Sequence, residues 1–156
     1  MTNGECQNAT REHIENVRNF LDVIIIELIR RAENHDKSKL EEPELSVFME
    51  YTSKLAKSTY GSDEYKQFLK EMQPALEHHY SNNRHHPEYF KEFGEMNLID
   101  LIEMLLDWKA ATLRHENGDI IKSINQNQTR FKYSDEIKQI LLNTIIYLGL
   151  EKRGIQ

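Results

Sequence analysis

"LIDLIEMLLDWKAATLRHE", residues 98–116, decides the fold. Leu98, Ile99, Leu101, Ile102, Leu105, Leu106 and Trp108 make the segment apolar at nearly every position. Asp100, Glu103 and Asp107 interrupt it at spacings of three and four, so they form one acidic row along a helix. Such a row normally faces water. Here the remaining surface is so apolar that the helix must be largely enclosed, and the row then suits a polar cavity. Asn97 in front reads as an N-cap, and "NGD", residues 117–119, reads as a stop.

The same periodicity extends outward from this helix. His13, Val17, Phe20, Leu21, Ile24 and Leu28 share one face of a helix expected over about 10–33, with Thr10 as its cap. "SKLE", residues 38–41, reads as a capping box that opens a helix over roughly 39–57. After the turn "TYGSDEY" and the cap Ser62, a third helix is expected over about 63–83, with a kink at Pro74. Pro87 suits the first position of a short helix, "PEYFKEF". "IIKSINQNQTRF", residues 120–131, is polar, amide-rich and the least readable part, and a short helix is the expectation there. Ser134 caps a final helix, which Gly154 closes. No alternating strand pattern, repeat or linker is evident. The expectation is an all-α, single-domain bundle of about five main helices over residues 1–156, with residues 1–8 flexible.

The totals agree with that class. The 156 residues suffice for one core, and 38% hydrophobic with 29% charged residues fits neither a disordered tail nor a membrane protein. With only six glycines and three prolines, breakers are scarce. The run "VIIIELI" is too short to span a bilayer, and the polar start has no signal-peptide pattern, so a cytoplasmic location is expected. One cysteine, Cys6, excludes a disulfide framework. A net charge of −6 without a basic stripe argues against binding a nucleic-acid duplex.

The histidines carry the chemistry. Four of the seven lie in "EHHYSNNRHHPE", residues 77–88, namely His78, His79, His85 and His86. His79 and His86 stand two helical turns apart, as do His78 and His85, although Pro87 disfavours helix at His86. Upstream, "HDKSK", residues 35–39, sets His35 beside Asp36. Imidazole beside carboxylate suits Fe, Mn, Co, Ni or Zn better than Mg or Ca. The competing reading of the cluster is a solvated, titrating helix end.

A first-helix His, a His-Asp doublet, further histidines and a distant Asp on an apolar helix together resemble the HD superfamily of metal-dependent phosphohydrolases. "HDKSK" is similar to the "HD-x-G-K" form of its two-metal members, with Ser38 replacing Gly. The chain also looks similar, over about residues 12–131, to short bacterial and phage HD-like proteins marked by "HDKSK", "HHYSNNRHHPE" and "EMLLDW". The resemblance implies His13, His35, Asp36 and Asp107 as ligands of one or two divalent transition metals. It gives a second metal His79 with His85 or His86, and lets Asp36 bridge.

Lys39 would offset charge on a phosphate or developing oxyanion beside Asp36. Asn82, Asn83 and Arg84, and more weakly Arg130, would orient an anionic substrate. The implied activity is hydrolysis of a phosphate ester or phosphodiester, with a nucleotide as the favoured substrate. The alternatives are an HD-type diiron oxygenase with nearly the same ligands, and a non-enzymatic helical module binding a nucleotide or a protein partner. The sequence leaves a homodimer open.

Overall fold

Periodic Leu, Ile, Glu and Lys segments fold as helices throughout the computed structural model, which describes residues 2–58, 62–114 and 118–152. It contains seven α-helices rather than about five, and no strand among the described residues. The chain divides into two compact units, Met1–His35 and Asp36–Gln156. No helix among the described residues is long and apolar enough to cross a membrane.

The first unit is one helix, α1 (Asn3–Asn34). Its cap is Thr2, not Thr10. The Thr2 hydroxyl accepts from the Glu5 N–H at 3.3 Å, and the Glu5 carboxylate accepts from the Thr2 N–H at 2.7 Å. Residues 3–8 are therefore helical. Thr10 lies inside the helix, and its hydroxyl donates to the Cys6 carbonyl. The helix ends where His35 leaves the helical region at φ −51°, ψ 125°.

The second unit begins with Asp36 in the left-handed region, φ 57°, followed by a 3-10 helix at Lys37–Leu40. Left-handed backbone is costly for most side chains but tolerated by Asp and Asn. The expected capping box at Ser38 does not form. Ser38 lies within the 3-10 helix, and α2 (Glu44–Lys57) starts later, after Pro43. The helix expected over 63–83 is two helices, α3 (Asp63–Glu71) and α4 (Gln73–Asn82). Met72 joins them: its N–H closes α3 on the Phe68 carbonyl, and its carbonyl opens α4 by accepting from Leu76. Pro74 lies in the first turn of α4, where its missing N–H costs nothing.

In place of an α-helix over "PEYFKEF", 3-10 turns form at Pro87–Tyr89 and, from its last residue onward, at Phe93–Glu95. Helix α5 (Leu98–Thr112) opens on an Asn97–Asp100 capping box. The amide-rich stretch is a regular helix, α6 (Ile120–Phe131), capped by the Asp119 carboxylate on the N–H groups of Ile121 and Lys122. Ser134 caps α7 (Asp135–Tyr147) as expected. Its stop is Gly149, not Gly154. Gly149 takes φ 66°, and the Leu150 N–H returns to the Ile145 carbonyl. Gly154, part of "NGD" and part of "TYGSDEY" lie outside the described residues.

Helices α5, α6 and α7 enclose the apolar core, which joins Met96, Met104, Leu105, Ile120, Ile124, Tyr133, Leu141 and Ile145. Trp108 packs at its border, stacked on Phe131 and Tyr133. Helices α2 and α4 pack on each other and on the 3-10 helix, which brings Asp36 to the end of α4.

Candidate metal centre

Four donor residues of the second unit converge. Asp36, His79, His85 and His86 each offer one ligand atom, and these atoms all lie within 4.8 Å of one another. Separate elements supply them. Asp36 opens the 3-10 helix, His79 lies on the buried face of α4, and His85 and His86 follow where α4 ends before Pro87. His86 is extended at φ −91°, ψ 125°, as a residue before proline should be. The chain therefore folds His85 and His86 back toward His79 instead of continuing along one helical face.

The distances are short. Asp36 Oδ1 stands 3.2 Å from His79 Nε2 and 3.3 Å from His85 Nε2, and the Nε2 atoms of His79 and His86 are 2.9 Å apart. Two donor atoms each about 2.0–2.2 Å from a shared cation stand roughly 2.8–3.6 Å apart. His79 and His85 are almost wholly buried, at 1% and 2% exposure. Three imidazoles and one carboxylate at these separations fit a divalent transition ion, and the set suits Fe, Co, Ni, Zn or Mn over Mg or Ca.

Further carboxylates surround the group. His79 Nδ1 lies 2.9 Å from Glu44 Oε2, and His85 Nδ1 lies 3.2 Å from Glu103 Oε1. Glu44 is fully buried and also accepts from the Ser38 hydroxyl at 3.0 Å. Asp107, half-buried on α5, places a carboxylate oxygen within 4.8 Å of one from Asp36.

Charge is arranged to match. Burial alone would raise the Asp36 pKa, but the Lys39 ammonium bonded to it and the imidazoles of His79 and His85 beside it outweigh that and hold the carboxyl below its ordinary range. Lys39 Nζ lies 2.6 Å from Asp36 Oδ2. Burial, with the neighbouring His85 and His79, pushes His86 down to about 3, against an opposing effect of Asp107. His86 is thus a neutral imidazole at physiological pH, the form that binds metal.

The remaining expected residues have definite places. His13 and His35 belong to the first unit, His13 exposed on α1 and His35 half-buried at its end, while the four-donor group draws on the second unit alone. His78 is partly exposed and meets Glu44 Oε1 through Nδ1 at 2.7 Å. Asn82 bonds the His78 carbonyl, and Asn83 donates to the Ser38 hydroxyl and the His79 carbonyl. Arg84 makes two bonds to the buried Asp100, and Arg130 pairs with Glu88.

Glu44 went unnoticed in the sequence. Its signal was there: Glu44, Phe48, Tyr51 and Leu55 recur at four, three and four, which puts Glu44 on the inner face of α2.

These features define an all-helical protein whose second unit holds a buried histidine–carboxylate cluster of metal-ligand composition. The chain belongs to a family of unknown function, DUF5662, which matches residues 2–147. No curated protein and no solved structure matches it.

Proposed function

We propose that the second unit binds a divalent transition metal through Asp36, His79, His85 and His86, and uses it to hydrolyse a phosphate ester, with nucleotides the first substrates to test. The observation that carries the metal is the meeting of Asp36 Oδ1 with the Nε2 atoms of His79 and His85, at 3.2 and 3.3 Å. Buried imidazoles and carboxylate at such separations are costly without a cation or protons to share.

Bound there, such an ion supplies Lewis acidity and an acidified water. The chain's own residues do the rest. Asp36 offers Oδ1 to the centre while Oδ2 holds the Lys39 ammonium at 2.6 Å. Lys39 thus keeps a positive charge at the rim, suited to a phosphoryl oxygen. Asp107 stands close enough to accept a proton from, or hold, a group beside Asp36. The phosphoester part of the reading rests on the resemblance of "HDKSK" and the downstream Asp107 to the HD superfamily.

Elemental analysis of the purified protein is the first test, followed by phosphate release from a panel of nucleotides with the metal found and with added Mn or Co. The expected result is close to stoichiometric metal and metal-dependent release. A protein that takes up no transition metal sinks the reading. A metal-loaded protein that consumes oxygen and releases no phosphate sinks its hydrolytic half.

A further inference from the structure

An imidazole can present either ring nitrogen to a metal, and the partner of the other nitrogen decides which. Two glutamates occupy that deciding position, one on each of two histidines. Glu44 Oε2 lies 2.9 Å from His79 Nδ1, nearer than the Asn83 amide at 3.0 Å and the Ser38 hydroxyl at 3.1 Å, and Glu103 Oε1 lies 3.2 Å from His85 Nδ1. In both rings the opposite atom, Nε2, lies within 3.3 Å of the same oxygen, Asp36 Oδ1. The two pairs come from different elements, Glu44 on α2 with His79 on α4, and Glu103 on α5 with His85 just after α4. One arrangement built twice from unrelated segments calls for a common cause.

We propose that Glu44 and Glu103 are positioning residues, which rests on the metal-centre reading above: each accepts the Nδ1–H of one imidazole and so turns the Nε2 lone pair of His79 and of His85 onto one cation shared with Asp36. Glu44 is the stronger of the two. It is wholly buried, whereas the Glu103 side chain retains 11% exposure. The Ser38 hydroxyl and His78 Nδ1 also donate to Glu44, so the carboxylate is held at both oxygens. It further sits in the first turn of α2, whose Pro43 cap provides no side-chain acceptor, and the helix dipole there favours a negative charge. Carboxylates that back a ligating histidine raise its basicity and lock its ring.

The test is Co(II) binding, read by its visible absorption and by competition with a chelator. Glu44→Gln and Glu103→Gln keep shape but weaken the acceptor, and each is expected to lower Co(II) affinity roughly 10–100-fold. Each is also expected to change the Co(II) band positions, because the ring it releases can turn. A merely structural glutamate would lower thermal stability and leave the bands of the loaded protein unmoved. Glu77→Gln, an exposed position on α4, is the control and should match wild type. Should Glu44→Gln fail to fold, Glu103→Gln decides alone. Wild-type affinity and wild-type bands in both variants overturn this proposal and leave the metal centre standing. Failure of the wild-type chain to bind Co(II) overturns the metal centre, and this proposal with it.

Discussion

Ile124 on α6 and Glu44 on α2 are equally enclosed, each at 0% exposure, but for opposite reasons. Ile124 is held among Met104, Leu141 and Ile145, where any apolar side chain of similar volume would gain about the same free energy from leaving water. Glu44 loses hydration on burial and recovers it only through three directed bonds, from His78, His79 and Ser38. Packing around α5–α7 therefore tolerates exchange among apolar side chains and is strict in volume. The cluster around Asp36 is strict in chemistry. A region that gives up stability for directed polar contacts is expected where a site must be held in one geometry.

The largest expected effect lies in the polar region. Asp36→Asn keeps a side chain that tolerates φ 57° but removes the charge and replaces one carboxylate oxygen with an amide NH2. Metal affinity should fall at least about 100-fold. The gain in melting temperature on adding metal should vanish too, since that gain follows the ratio of metal concentration to its dissociation constant. Retention of full affinity by the variant would break the contrast at its centre. Chelator treatment of the wild type should lower its melting temperature in the same manner.

The next effect lies in the apolar region. Ile124→Ala empties a fully buried site and should cost about 2–5 kcal/mol in urea unfolding. Affinity for metal per folded molecule should not change. A parallel loss of affinity would show that the two regions are coupled, and the comparison would fail.

How much of this was legible follows the same division. The helices α5 and α7 were readable because Leu, Ile and Met recur at helical spacing behind clear caps, Asn97 and Ser134. Helix α6 was not. Only Ile120 and Ile124 are fully buried, and amides fill its outer face, so its pattern was faint. The polar cluster was readable where its members are adjacent in sequence, as in His85 and His86. At Glu44 the spacing with Phe48, Tyr51 and Leu55 gives the inner face, but not the role, because the partners His78 and His79 lie more than thirty residues away. His13 shows the limit of periodicity: spacing puts a residue on a face of α1 but does not say what that face meets. The Ser38 capping box failed because Ser38 donates to Glu44 instead of capping a helix.

Tyr133 stands between the two regimes, a core ring with a polar end. Its hydroxyl donates to the Ile124 carbonyl at 2.6 Å while the ring is 4% exposed. Tyr133→Phe keeps the volume and loses that bond, so the cost should be about 1–1.5 kcal/mol, well below that of Ile124→Ala. A cost equal to that of Ile124→Ala would mean that directed bonds also govern the apolar region.

The smallest effects separate a real cap from an apparent one. The Ser134 hydroxyl accepts from the Ile137 N–H at the start of α7, so Ser134→Ala leaves a helix donor to water and should cost about 1 kcal/mol. Thr10 has the same kind of hydroxyl but sits inside α1, where it donates back to Cys6 at 2.9 Å and satisfies no free N–H. Alanine is the better helix former at such a place by a few tenths of a kcal/mol, roughly, so Thr10→Ala should be neutral or slightly stabilising. Thermal unfolding followed by circular dichroism reads both. A loss at Thr10 as large as that at Ser134 would move the start of α1 back to Thr10 and undo the Thr2–Glu5 cap.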